Sequence, residues 1–99
     1  MQTKRVVVTG LGALTPIGSN VSAYWDGLVS GQSGGAPITY FDASKFKTQF
    51  ACELKGYDPN DHFDRKEVRK MDKFTQYAMV ASDEAILDAG LNHDTLDKT

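Results

Sequence analysis

Three kinds of side chain in this sequence have the chemistry for a functional site: one thiol, two imidazoles and a dense run of cations. The thiol is Cys52, within Phe50-Ala51-Cys52-Glu53-Leu54. A nucleophilic cysteine needs its thiolate favoured, usually by a helix N-terminus or a neighbouring imidazole. Here the alternation reads as a half-buried strand with Phe50 and Leu54 on the cysteine's own face, and Glu53 disfavours the thiolate. Cys52 is therefore expected to be a buried structural residue. His62 and His93 stand in polar, loop-like surroundings, with no ligand spacing to each other, to Cys52 or to a carboxylate cluster. Both read as surface residues, and no metal site is expected.

The cations are more informative. Arg65-Lys66-Glu67-Val68-Arg69-Lys70-Met71-Asp72-Lys73 holds five of the eleven basic residues and two of the thirteen acids. It nets +3 while the rest of the chain nets -5. Arg65 with Arg69, and Lys66 with Lys70, are like-charge pairs at i,i+4, which weaken a helix. They also fall near a helix N-terminus, where the macrodipole disfavours cations. Local stability does not select this arrangement. It reads either as a solvated helix face or as a docking patch for an acidic or phosphate-bearing partner.

Gly10-Leu11-Gly12 follows an apolar run, as a dinucleotide-binding loop would. That fingerprint needs a third glycine at position 15 opening a helix, and a later acidic residue ending a second strand. Position 15 is Thr, Pro16 follows, and the glycines are read as permitting a tight strand-exit turn. No cofactor is expected.

The elements that would position these residues follow from periodicity. Arg5 to Thr9, with three consecutive valines, reads as a strand buried on both faces, as in the parallel sheet of an α/β fold. Asn20 is placed to cap a helix with apolar residues Val21, Tyr24, Trp25, Leu28 and Val29, stopped by Gly31. Residues 32–48 read mostly as loop, with a short strand or turn at Ile38 to Phe41, and Phe50 to Leu54 as a strand. Gly56 and Pro59 break the chain. Asp64 and Glu67 form a capping pair for a helix through Lys70, and Asp72 restarts or continues it to a stop at Gly90. Tyr24, Trp25, Phe74 and Tyr77 are expected in the core. Asp94 with Asp97 resembles another helix start. These pieces cannot surround a doubly buried Val6-Val7-Val8, so the remainder of the same polypeptide is expected to supply its neighbours.

Composition narrows the classes further. A net charge of -2 and a pI near 5.5 disfavour a dedicated nucleic-acid binder. A single cysteine excludes an internal disulfide and fits a reducing cytoplasm. No stretch is long enough to span a bilayer, and no signal-peptide cleavage pattern follows the first valines.

The order of motifs resembles a known family. Arg5-Val-Val-Val-Thr-Gly-Leu-Gly-Ala-Leu-Thr-Pro-Ile-Gly18 is similar to the opening strand and loop of the β-ketoacyl-acyl-carrier-protein synthases. Trp25-Asp-Gly-Leu28, Gly31-Gln-Ser-Gly34, Phe41-Asp-Ala-Ser44 and Phe50-Ala51 continue the match, and Arg65 through Ala78 with Asp88-Ala-Gly-Leu91 complete it. Gln76-Tyr77 points to the type II members, because type I proteins depart there.

The resemblance implies a thiolase-like fold with α-β-α-β-α layers, of which residues 1–99 would be an incomplete amino-terminal piece of the amino-terminal half. It implies a homodimer that extends fatty acids by decarboxylative condensation of malonyl-acyl carrier protein with an enzyme-bound acyl thioester. The family's nucleophilic cysteine and two histidines would lie downstream. Cys52, His62 and His93 match none of these motifs, so no catalytic residue is assigned in this chain, and the piece alone is expected to be inactive. Lys66, Arg69 and Lys70, assisted by Arg65, match positions the family uses to hold acyl carrier protein. Two alternatives remain: a non-catalytic chain-length-determining subunit of the same fold, and an autonomous small binding module.

Overall fold

The structure, a computed structural model, describes residues 3–91. His93 and the helix start expected at Asp94 and Asp97 lie outside the described residues. Helix α1 spans Val21–Ser30, strands β1 Gly35–Pro37 and β2 Phe50–Cys52 form an antiparallel ribbon, and a 3-10 turn covers Pro59–Asp61. The one-turn helix α2, Arg65–Val68, and the long helix α3, Lys73–Asp88, complete the order.

The helix ends follow their local chemistry. Asn20 is extended and its side chain accepts the Ala23 amide at 2.8 Å, so it caps α1. At the other end Gly31 takes φ 72°, and the amides of Gly31 and Gln32 close on Leu28 and Gly27. Helix α3 stops the same way: Gly90 has φ 69°, with Gly90 and Leu91 amides donating to Leu87 and Ile86. Both are Schellman endings, which need a left-handed residue that glycine supplies without a Cβ clash. Asp64 and Asp72 occupy the caps of α2 and α3 by position, but neither side chain makes a capping hydrogen bond. The expected Asp64–Glu67 capping pair is therefore not formed as such, and α2 ends at Val68, two residues short of Lys70.

Several expectations are not met among the described residues, each for a tertiary reason. Val6, Val7 and Val8 form no ladder among the described residues and are 89%, 59% and 79% exposed. A strand exists through its partners, and β-branched residues alone cannot make one. Trp25 and Phe74, expected in the core, are likewise exposed, at 64% and 71%. In α1 the buried residue is Gly27, which lets Ile17 lie against the helix.

The first strand of the ribbon falls at Gly35–Pro37 rather than Ile38 to Phe41. The reason is Glu53. Its carboxylate accepts the amides of Thr39 at 3.0 Å and Tyr40 at 3.2 Å, removing them from any ladder, so the Ile38 amide to Gln49 is the last rung. In the observed register Ala36 opposes Ala51 on the covered side, while Phe50 and Cys52 point outward. Cys52 is exposed, not buried.

Gly10 and Gly12 also have another reason to be glycine. Neither has positive φ. A Cβ on Gly12 would overlap the Ala81 carbonyl, and one on Gly10 would overlap that of Ala85. The loop after the valines thus lies directly on the Ala81, Ala85 and Ala89 stripe of α3. Close approach, not a turn, demands these glycines.

The radius of gyration is 17.6 Å, against roughly 13 Å for a compact domain of about 100 residues. Ala43 is the buried hydrophobic residue among those described, and Gln76 the buried polar one. No helix among the described residues is long and apolar enough to cross a membrane.

Candidate functional site

The basic segment is held between two anchored elements. On its upstream side, Tyr57 stacks on His62 with ring centroids 5.7 Å apart and meets Tyr77 of α3 edge-on at 5.1 Å. Phe63 continues this aromatic cluster at 6.3 Å from His62. On its downstream side sits Gln76, 4% exposed in the first turns of α3. The Tyr57 hydroxyl donates to Gln76 Oε1 at 2.9 Å, and Gln76 Nε2 donates to the Met71 carbonyl at 3.3 Å. One amide thus ties the chain before α2 to the residue that follows Lys70. A buried amide satisfied on both sides fixes geometry, since leaving either limb open is costly.

Burial pushes the Tyr57 hydroxyl above its ordinary value, with Asp58 adding to it. Burial, then Tyr40 and Tyr57, pushes Tyr77 up to about 12. Both hydroxyls therefore remain protonated throughout the neutral pH range.

From this base, Arg65, Lys66, Arg69 and Lys70 all project as exposed residues. The Arg69 amide still closes on Arg65, whereas Lys70 closes on Glu67, three residues back. The helix therefore tightens at its end, as last turns commonly do. The structure brings the four cations to one short solvent-facing turn. Lys73, also in the basic run, is separately engaged: its Nζ lies 3.9 Å above the Tyr40 ring.

The other candidates do not converge on this site. Cys52 lies on the outward side of β2. His62 is exposed, as expected, and its ring is used in stacking. No group of three His, Cys, Asp or Glu side chains suited to a metal occurs among the described residues. A groove between the 10–20 loop and α3 is lined by Leu11, Asn20, Val21, His62, Asp83 and Leu87 among others. Two of its three carboxylates, Glu84 and Asp88, already accept backbone amides: Ala13 and Val21 for the first, Leu11 for the second. It is a packing seam between loop and helix.

Sequence reasoning passed over Tyr57, Gln76 and Glu84 as site-building residues. The available signal was a polar Gln76 beside Tyr77, in a helix whose same side continues through Val80 and Ala81.

Comparison with known proteins shows the family. Residues 3–99 match the family description "Beta-ketoacyl synthase, N-terminal domain". The chain belongs to the β-ketoacyl synthase family. Among curated family members, the 3-oxoacyl-[acyl-carrier-protein] synthase 2 of Synechocystis sp. is 50% identical over 91 residues, covering 92% of this chain and 22% of that protein. The protein of the same name from Staphylococcus aureus strain COL is 48% identical over 99 residues, covering 98% and 24%. This chain therefore spans about a quarter of the length of these curated relatives.

Solved β-ketoacyl synthase structures share the fold. The ishigamide ketosynthase/chain length factor superposes with a TM-score of 0.81 at 39% identity, over 91% of this chain and 22% of that one. A type II polyketide ketosynthase in complex with its acyl-carrier protein gives 0.73 at 28% identity, over 97% and 25%. The fold is thus an amino-terminal piece of the thiolase-like α/β ketosynthase architecture.

Proposed function

We propose that the protein carrying this segment is a type II 3-oxoacyl-[acyl-carrier-protein] synthase. It would elongate fatty acids by decarboxylative condensation of malonyl-acyl carrier protein with an enzyme-bound acyl thioester. Residues 1–99 form the amino-terminal part of its amino-terminal half. The acylated cysteine and the histidines that assist decarboxylation belong to chain outside these residues. The enzyme works as a cytoplasmic homodimer.

The segment's own task in this reading is to receive the carrier. The observation that carries it is the exposed turn presenting Lys66, Arg69 and Lys70, with Arg65 beside them, on a base fixed by Gln76. Like charges crowded at a helix start are unfavourable in isolation. An acidic carrier surface offsets that repulsion and is drawn in by long-range attraction before contacts form. The related ketosynthase solved with its acyl-carrier protein supports a carrier as partner.

Reversing Lys66→Glu with Lys70→Glu in the full-length enzyme tests this. Carrier-dependent turnover should fall through a slower on-rate. The defect should shrink as salt rises, because exposed charges are screened beyond about 10 Å at roughly 0.1 M ionic strength. Equal loss with a small thioester lacking the carrier would assign the cations to folding instead.

A non-catalytic chain-length subunit is the alternative, and one related solved structure is the ishigamide ketosynthase/chain length factor. Intact mass of the full-length protein after incubation with acyl carrier thioester separates them. A covalent acyl-protein supports the enzyme, and its absence the non-catalytic subunit. An autonomous module is disfavoured by exposed apolar side chains such as Val6, Trp25, Phe74 and Leu87, the last 80% exposed.

A further inference from the structure

We infer that Gln76 is a positioning residue for the carrier-docking turn, acting with Tyr57 to hold Arg69 and Lys70 in the presented conformation. The inference rests on the docking reading above and adds to it a residue that never touches the carrier. Gln76 is the buried polar side chain among the described residues, in a chain whose large apolar side chains are mostly exposed. Its two hydrogen bonds lead to opposite sides of the basic segment: Tyr57 before α2, and the Met71 carbonyl directly after Lys70. Helix α2 has four residues and no side-chain cap hydrogen bond from Asp64. Such a short helix is not stable through its own hydrogen bonds and must be fixed from outside. The charge repulsion within the turn adds to the tendency to open. The Gln76 amide bond to Met71 opposes that opening at the point where the helix tightens and the chain turns into α3.

The mechanism is pre-organisation. A turn that samples several conformations reduces the competent fraction, and apparent affinity falls in proportion. The chemical step, on groups outside this segment, is not altered. Loss of Gln76 therefore acts on KM for the carrier substrate and spares kcat.

The test uses full-length enzyme and malonyl-acyl carrier protein. Gln76→Met removes both hydrogen bonds while keeping side-chain length, and should raise KM for the carrier about fivefold, the effect of roughly one buried hydrogen bond. Tyr57→Phe removes one of the two hydrogen bonds and keeps the ring stacking, and should raise KM in the same direction, by up to about fivefold for the single bond lost. In a Lys66→Glu/Lys70→Glu background, Gln76→Met should add less than in the parent, because Lys70 no longer contributes and only Arg65 and Arg69 remain to be presented.

An unchanged KM in a folded Gln76→Met enzyme overturns the inference, as does a KM rise matched by equal loss of carrier-free turnover. If Gln76→Met does not fold, Tyr57→Phe decides by the same criterion. If charge reversal raises KM and the Gln76 variant does not, positioning fails and docking stands. If charge reversal itself leaves KM unchanged, docking fails and positioning falls with it.

Discussion

Glu84 on α3 accepts the amide of Ala13 through Oε1 at 2.8 Å, across 71 positions of sequence. Its other oxygen takes the Val21 amide at the start of α1, at 3.0 Å. One carboxylate therefore closes the loop between the valine run and α1 onto α3, while Asp88 adds the Leu11 amide one turn later.

Glu84→Gln should destabilise the full-length protein by about 1–3 kcal/mol. One acceptor becomes an N–H2 facing an N–H donor, so a charge-assisted bond is lost and a donor is left unpaired. Denaturant unfolding of the variant beside the parent measures this. A difference close to zero would mean that water replaces the clamp without loss.

The glycines give a ranked expectation. Gly12→Ala places a methyl group on the Ala81 carbonyl of a packed helix. It should cost on the order of 1–3 kcal/mol or more through overpacking. Gly31→Ala meets no atom within 4 Å, but its φ of 72° is left-handed. It should cost roughly 1–2 kcal/mol from the backbone alone. Gly12→Ala is thus the more damaging, and unfolding midpoints showing the reverse order would contradict the close approach.

The Glu53 clamp carries a pH signature. Partial burial pushes its carboxyl up, but the amide and hydroxyl of Thr39, the Tyr40 amide and the Lys55 charge together outweigh it and hold it below its ordinary 4.5. Above that value the group is ionised in folded and unfolded chains, and its stabilisation is complete. As pH falls below it the unfolded chain binds the proton first, so stability is lost until the folded carboxyl also protonates. The stability difference between the parent and Glu53→Gln should be flat well above the ordinary 4.5 and shrink as pH falls below it. A difference that grows on acidification would reverse the sign and exclude the clamp.

What the sequence determined by itself is what local chemistry controls. Asn20 and Gly31 bound α1, and Gly90 ends α3, because capping and left-handed endings depend on residues within one turn. The unfavourable crowding of Arg65, Lys66, Arg69 and Lys70 is also a property of spacing, which marks the candidate site without any tertiary contact. Tertiary structure decided the rest. Val6-Val7-Val8 has strand-forming residues but no partner among the described residues, and pairing cannot be read from one segment. Cys52 faces outward because the Ala36–Ala51 register fixes which side of a two-residue repeat is covered. Gly12 is a contact glycine, and Glu84, Gln76 and Tyr57 are clamps, through partners 19 to 71 positions away. No periodicity encodes such a contact, because it exists only after the chain has brought its distant parts together.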